Sequence, residues 1–508
     1  PKSFKRCARK MPTVYILLLI VSALLWYFLF SKNERRSLPP GPIRIPIVGY
    51  LPFLKPNIIL STLKQLRLRY GNVFTIYLGN TPAVVLNDYA SIKEMFGKAE
   101  VSARPVMHAQ TMLTEGEPRG LIYTSGTLWQ EQRRFSIKHL KGFGFGKNDM
   151  ETLIKRELYP LMNNLSDSCG LPIDIQDSLS IPILNIIWSI TTGHNLSHGN
   201  INFIRFLKVL NENLEYLMEL YMLSFLPWYL FDMIPGSFYH YDRIMSNHIW
   251  FMDYVRNLVK EHKSTYKEDN MRDYIDCYLR EIYSHDRTVK GSTTFSETQL
   301  LYNIGDLFLA GAETTTTTLR FCILYLLYYP EAQSRIQKDI DLVLSKDEEP
   351  SLSDRAQLPY LEAFIAEVQR IANIVPLSLF HYTSAPVQLD KYTIPKDCVV
   401  IGNFDSVHRS PEIWEDPDQF KPERFLSDEG RFTTPNGFIP FSIGKRQCLG
   451  ELMARAELFL FMAFMLKEFI FEVPVTCSLP SLKPRAGVIT HPEPFKVLLR
   501  KRKPAVIS

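Results

Sequence analysis

Apolar and polar positions alternate along this chain in three distinct registers. Val14 to Phe30 is an uncharged apolar run of 17 residues, about 26 Å as a helix, the short end of a membrane span. Trp26 and Tyr27 near its end suit a lipid–water interface. Pro39, Pro40, Pro42 and Pro46 follow and cannot join a helix, so residues 31–46 read as a stiff extended hinge. After a short basic helical pattern over Leu60–Tyr70, the runs VFTIYLG and PAVVLND meet at Gly79-Asn80, which signals a hairpin. From 151 to 299 the pattern is mainly helical, with breaks expected at Pro160, Pro172, Pro182, Pro227 and Pro235-Gly236. RDYIDCYL (272–279) is amphipathic at helical spacing. Leu300–Tyr329 is a long proline-free run, and Asp306, Glu313 and Arg320 within it argue against a second membrane span. The alternating, proline-punctuated segment from Pro484 onward predicts a terminal hairpin.

Composition narrows the class. With 508 residues, 46% hydrophobic and 22% charged, the chain is globular and large enough to enclose a cofactor. No linker or low-complexity tract divides it after residue 46, which favours one large domain over 47–508. Seven cysteines, odd in number and without a C-x-x-C pair, speak against a disulfide framework or zinc site. A net charge of +5 without clustering gives no nucleic-acid footprint, though it suits an acidic protein partner.

The candidate chemistry centres on FSIGKRQCLG, residues 441–450. Glycines at 444 and 450 let the backbone turn and approach a flat partner, so Cys448 is presented, not packed. The helix-forming run after it offers unpaired N–H groups to a thiolate, and Arg446 adds a cation. In AGAETT (310–315) the small Ala310-Gly311 pair opens room beside a helix, while Glu313 and Thr314 offer a carboxyl and a hydroxyl for proton transfer. Trp129 and Arg133 stand four apart on one helical face. Glu367 and Arg370, three apart, can form a bidentate ion pair.

These motifs together resemble the cytochrome P450 family over nearly the whole chain. Phe441, Gly444, Arg446, Cys448 and Gly450 match the family's haem-binding loop, and AGAETT matches its long central helix. The likeness to its microsomal family-two branch extends to LPPGP and RDYIDCYL. It implies a mainly α fold with small β-sheets, a single haem domain behind an N-terminal transmembrane anchor (14–30). Cys448 would be the axial thiolate of a haem b, a ligand that pushes electron density toward O–O cleavage. Trp129, Arg133, Arg104 and His381 correspond to positions around the haem propionates. Glu367, Arg370 and Arg424 correspond to a structural triad. Alignment to the family's pocket segments places Ile122, Tyr123, Ala310, Val375, Leu379 and Val488 around the substrate.

The implied reaction inserts one atom of O2 into an apolar steroid, fatty acid, terpenoid or xenobiotic. NADPH-cytochrome P450 reductase would supply electrons, and the catalytic domain would face the cytosol from the endoplasmic reticulum membrane, in contact with lipid. Two other readings are a P450-fold isomerase or dehydratase and a non-catalytic haem protein; neither needs the Glu313–Thr314 pair. The cations Lys2, Lys5, Arg6, Arg9 and Lys10 ahead of the span would by themselves hold the N-terminus in the cytosol. A translation start at Met11 would remove them and reconcile the count with the family's topology.

Overall fold

The computed structural model describes residues 37–142, 148–196, 201–288 and 293–502. The expected anchor helix, 14–30, lies outside them. Among the described residues no helix is long and apolar enough to cross a membrane, the long proline-free helix included.

The helices that build the site are α1 (Tyr89–Gly97), α2 (Gly126–Gly142), α3 (Asn148–Asp167), α4 (Ile175–Thr192), α5 (Ile201–Leu223), α6 (Tyr274–Thr288), α7 (Glu297–Tyr328), α8 (Pro359–Ala372) and α9 (Glu451–Glu468). Their ends follow local chemistry. Asp88 caps α1 by accepting the Ser91 N–H at 2.9 Å, and Ser296 caps α7 by accepting that of Gln299 at 3.1 Å. Pro359 opens α8, where its missing N–H costs nothing, and Asn373 at φ 42° closes it. Helix α7 is buried along most of its length and packs against α4, α8 and α9. Asp306 on it is partly buried and Glu313 and Arg320 are buried, while Glu297 in its first turn is exposed.

Two of the expected breaks do not occur. Pro160 sits inside α3 and Pro182 inside α4. Each proline forfeits one backbone hydrogen bond, about 3 kcal/mol as an isolated effect, yet both helices bury apolar faces in the main core. Tertiary packing holds them through the defect. Pro172, Pro227 and Pro235 do mark boundaries: a strand begins at the first, and short helices begin just after the other two.

The strands are β1 (Val73–Leu78), β2 (Thr81–Leu86), β3 (Pro172–Asp174), β4 (His381–Tyr382), β5 (Val387–Leu389), β6 (Tyr392–Ile394), β7 (Val399–Gly402), β8 (Phe469–Glu472) and β9 (Lys496–Lys501). The expected hairpin is present, with Val73 opposite Leu86 and Leu78 opposite Thr81. It extends to a four-stranded sheet ordered β1-β2-β7-β4, in which β2 and β7 run parallel and β7 and β4 antiparallel. This sheet delivers His381 to the site. A second sheet, β3-β9-β8, gathers the C-terminus, and an antiparallel bridge between Arg485 and His491 forms the small hairpin ahead of it. The proline-rich segment lies along the first sheet: Pro40 O accepts the Thr75 N–H at 2.9 Å and Leu38 is buried.

Candidate active site

The loop before α9 folds back on itself. The Cys448 N–H donates to Phe441 O at 2.9 Å, closing a turn in which Gly444 takes φ 80°. A Cβ at 444 would stand 2.1 Å from Phe96 O on α1, so only glycine fits. Gly450 differs. Its φ is −91° and a Cβ there would meet no protein atom, so the polypeptide itself does not require glycine at that position. The Arg455 guanidinium lies 4.9 Å from the centre of the Phe441 ring, bracing the loop against α9.

Cys448 is exposed while Cys277, Cys322 and Cys398 are buried. Burial among protein atoms is the strongest influence on its thiol and raises the pKa; the N–H groups of Gly450 and Glu451 pull it down, as the start of a helix should. The cation that favours the thiolate is Arg133. Arg446, the expected one, points away, which corrects its assignment. Its Nε donates to Ser102 O at 2.7 Å, its Nη2 to Thr124 O at 2.5 Å, and its guanidinium lies 3.8 Å from the Trp129 ring centre.

Arg104, Arg133 and Arg446 therefore converge with Trp129 and His381. Arg104 donates to Leu379 O at 2.8 Å and Phe380 O at 2.9 Å, and Arg133 to Gln447 O at 2.6 Å. Among the described residues no carboxylate lies within ion-pair reach of the three. Burial first, then repulsion from the neighbouring arginines, brings Arg446 down to about 8 and Arg104 down to about 10, and burial lowers Arg133. Partly buried cations of one sign, held by carbonyls alone, form a cradle for a dianion. His381 stacks on Phe96 at 3.8 Å, and its Nδ1 lies 2.8 Å from Val101 O, so that nitrogen carries the proton. Burial and Arg104 keep the ring neutral, leaving Nε2 a bare acceptor; an anion there would draw in a second proton. The donor set, a presented thiol beside a cationic cradle with an aromatic wall, fits a haem with two propionates.

On α7, Ala310 is exposed although Phe308 and Ala312 are buried, and Thr314 lies one turn further on the same face, its hydroxyl donating to Ala310 O at 2.7 Å. Glu313 does not join Thr314. Consecutive helical residues point about 100° apart, and the Glu313 carboxyl instead meets Thr317 Oγ1 at 3.2 Å and His491 Nδ1 at 3.4 Å. The pairing expected from their adjacency is thus corrected.

Glu367 and Arg370 pair as their spacing suggests, and Arg424 joins them as the resemblance implies. Arg370 grips Glu367 in bidentate fashion at 2.6 and 2.8 Å, and Arg424 reaches the same carboxylate at 3.0 Å. Glu367 and Arg370 have no exposed surface. Of the expected pocket residues, Tyr123, Leu379 and Val488 line one apolar concavity with Met218 and Tyr221; Ile122, Ala310 and Val375 lie outside that lining.

Four contributors escaped sequence reasoning. Asp306, read only as a charge unsuited to a membrane, accepts the N–H groups of Leu121 and Ile122 at 2.6 and 2.8 Å. Those two peptides present their carbonyls to Arg446 and Arg104. Burial pushes Asp306 up to about 7. Tyr221 shares a 2.5 Å hydrogen bond with Tyr123 across the concavity, and nothing in its local sequence marks it. Tyr278 and Asn303 both donate to Gln132 Oε1, at 2.7 and 2.8 Å, giving RDYIDCYL a role in fastening α2 to α7.

A thiol presented before a helix, an anion cradle and a long helix with one open face fit a haem protein. The chain belongs to the cytochrome P450 family, whose profile matches residues 39–499, and it is of the family-two type. Cytochrome P450 2J3 of Rattus norvegicus is 37% identical over 487 residues, 94% of this chain and 95% of that protein. Cytochrome P450 2U1 of the same organism is 36% identical over 511 residues, covering 96% and 95%. Cytochrome P450 2L1 of Panulirus argus is 34% identical over 483 residues, covering 94% and 97%. Family membership supports a haem-dependent monooxygenase with a redox partner and a small-molecule substrate.

Proposed function

We propose that the protein inserts one atom of O2 into a C–H or C=C bond of an apolar substrate, using electrons from NADPH passed on by a flavoprotein reductase. The observation that carries this reading is the placement of Cys448 next to Arg133, one of three converging arginines that have no carboxylate partner among the described residues. The haem, when bound, supplies the activation of O2. Arg104, Arg133 and Arg446 would hold its anionic edge, with Trp129 stacked on Arg446, and the loop closed by Phe441 and Gly444 would present Cys448 as its iron ligand. Tyr123, Leu379 and Val488 exclude water from an apolar substrate.

Thr314 moves protons on the open face of α7. Its hydroxyl rests on Ala310 O and can turn to donate toward the reacting centre. Residues 14–30 would anchor the domain to the endoplasmic reticulum membrane, with the domain in the cytosol. NADPH consumption with purified reductase should yield oxygenated product, and Thr314→Ala should keep substrate affinity while releasing several-fold more hydrogen peroxide per NADPH. Equal peroxide release by both proteins would reduce Thr314 to a packing residue.

A further inference from the structure

The Glu313 carboxyl faces away from Thr314 and toward the C-terminal hairpin, where it forms a closed triangle with two other side chains. Thr317 Oγ1 donates to Glu313 Oε1 at 3.2 Å, and His491 Nδ1 stands 3.1 Å from Thr317 Oγ1 and 3.4 Å from Glu313 Oε1. Because the threonine spends its one proton on the carboxyl, the ring must donate to it from Nδ1. That fixes the tautomer and leaves Nε2 free on the other side of the ring.

The triangle is graded outward. Side-chain exposure is 4% for Glu313 and 23% for His491, and the ring is bridged through its backbone to Arg485, which is exposed. The other charges on this side are the buried Arg320, which favours the Glu313 carboxylate, and the exposed Asp174 and Asp177, which act on Arg320. Burial pushes Glu313 up to about 7 against Arg320. Burial and the positive charges of Arg320 and Arg485 bring His491 down to about 4.

We propose that His491 is the group through which Glu313 exchanges its proton with solvent, so that this carboxyl on α7 is refilled from the C-terminal hairpin. The proposal rests on the monooxygenase reading, in which each turnover consumes protons. A solvent proton joins Nε2, the Nδ1 proton passes to Thr317 Oγ1, and the threonine's own proton moves to the Glu313 carboxylate. The ring is left neutral with its proton on Nε2 and resets by tautomer exchange with water. Charge balances, since one proton enters and one carboxylate is neutralised.

Glu457 provides an internal comparison. It too is buried, and Thr315 Oγ1 donates to it at 3.1 Å, but among the described residues no histidine hydrogen-bonds to Thr315 or Glu457. Infrared difference spectroscopy on the haem-loaded, full-length protein at pH 6 can follow deuterium uptake by both carboxyl groups, their bands assigned by loss in Glu313→Gln and Glu457→Gln. In the wild type, Glu313 should exchange at least tenfold faster than Glu457. His491→Phe should slow Glu313 tenfold or more. His491→Asn, which keeps an N–H donor for Thr317 but cannot pass a proton, should be equally slow. Exchange of Glu313 no faster than that of Glu457 would overturn the proposal, and so would wild-type exchange in His491→Asn, which would mark a purely structural contact. If His491→Phe does not load haem, the wild-type comparison and the asparagine variant still decide. A wrong monooxygenase reading would appear as absent product, which carboxyl exchange does not depend on.

Discussion

Glu457 is pushed up to about 8 because it is buried with a single hydroxyl for company. A raised acid binds its proton more tightly folded than unfolded, so its contribution to stability is lost as pH rises from the unfolded value near 4.5 to about 8. Glutamine never ionises. Glu457→Gln should therefore raise the thermal midpoint at pH 8 relative to wild type by more than it does at pH 5, where both side chains are neutral. Calorimetry at the two pH values checks this, and a pH-independent difference would show that the carboxyl binds its proton equally tightly folded and unfolded. At this scale the sequence was informative wherever chemistry is local. Cys448, Gly444 and Phe441 act within one turn of chain, so their spacing disclosed them. Arg446 was singled out by its spacing from Cys448, but its direction was not legible, because Ser102 O and Thr124 O approach it from more than 300 residues away. Asp306, Tyr221 and His491 were hidden for the same reason.

The triad on α8 shows how an element can be fixed by charges that contribute little as an isolated pair. Glu367 is buried and satisfied from Arg370, Arg424 and the Lys421 N–H, while Arg370 also donates to His408 O and Pro417 O. Truncating one member of such a buried pair leaves the other uncompensated, a loss of about 3–5 kcal/mol. Arg370→Ala should accordingly unfold at much lower urea concentration or fail to retain haem; a shift under about 1 kcal/mol in chemical denaturation would mean that water compensates Glu367. The periodicity of α8 and the two-residue signal within it were readable because both depend on residues three or four apart. The continuity of α3 and α4 through Pro160 and Pro182 was not, since the cores that hold these helices together come from elsewhere in the chain. The adjacency of Glu313 and Thr314 misled for an elemental reason: neighbours in a helix do not share a face.

At the scale of the whole molecule, the surface near Cys448 is basic. Arg134, Lys138 and Lys141 on α2 and Lys445 on the loop are all exposed, and opposite charges on a partner would speed docking from that side. Arg134→Glu combined with Lys138→Glu should slow haem reduction by reductase in stopped flow without changing substrate affinity. The wild-type rate should fall as salt rises, because screening acts beyond ~8 Å at physiological ionic strength. Equal rates for the two proteins at low salt would place the docking surface elsewhere. Arg133 is left intact in that variant because of its place in the anion cradle.

The monooxygenase reading depends on Cys448 holding the iron. The most direct measurement is the absorption spectrum of the reduced protein under carbon monoxide, in wild type and in Cys448→Ser. The wild type should show the red-shifted Soret band characteristic of a thiolate-bound haem, and the serine variant should lose it while Arg104, Arg133 and Arg446 remain to bind the haem edge. An unchanged band in Cys448→Ser would contradict the account at its centre.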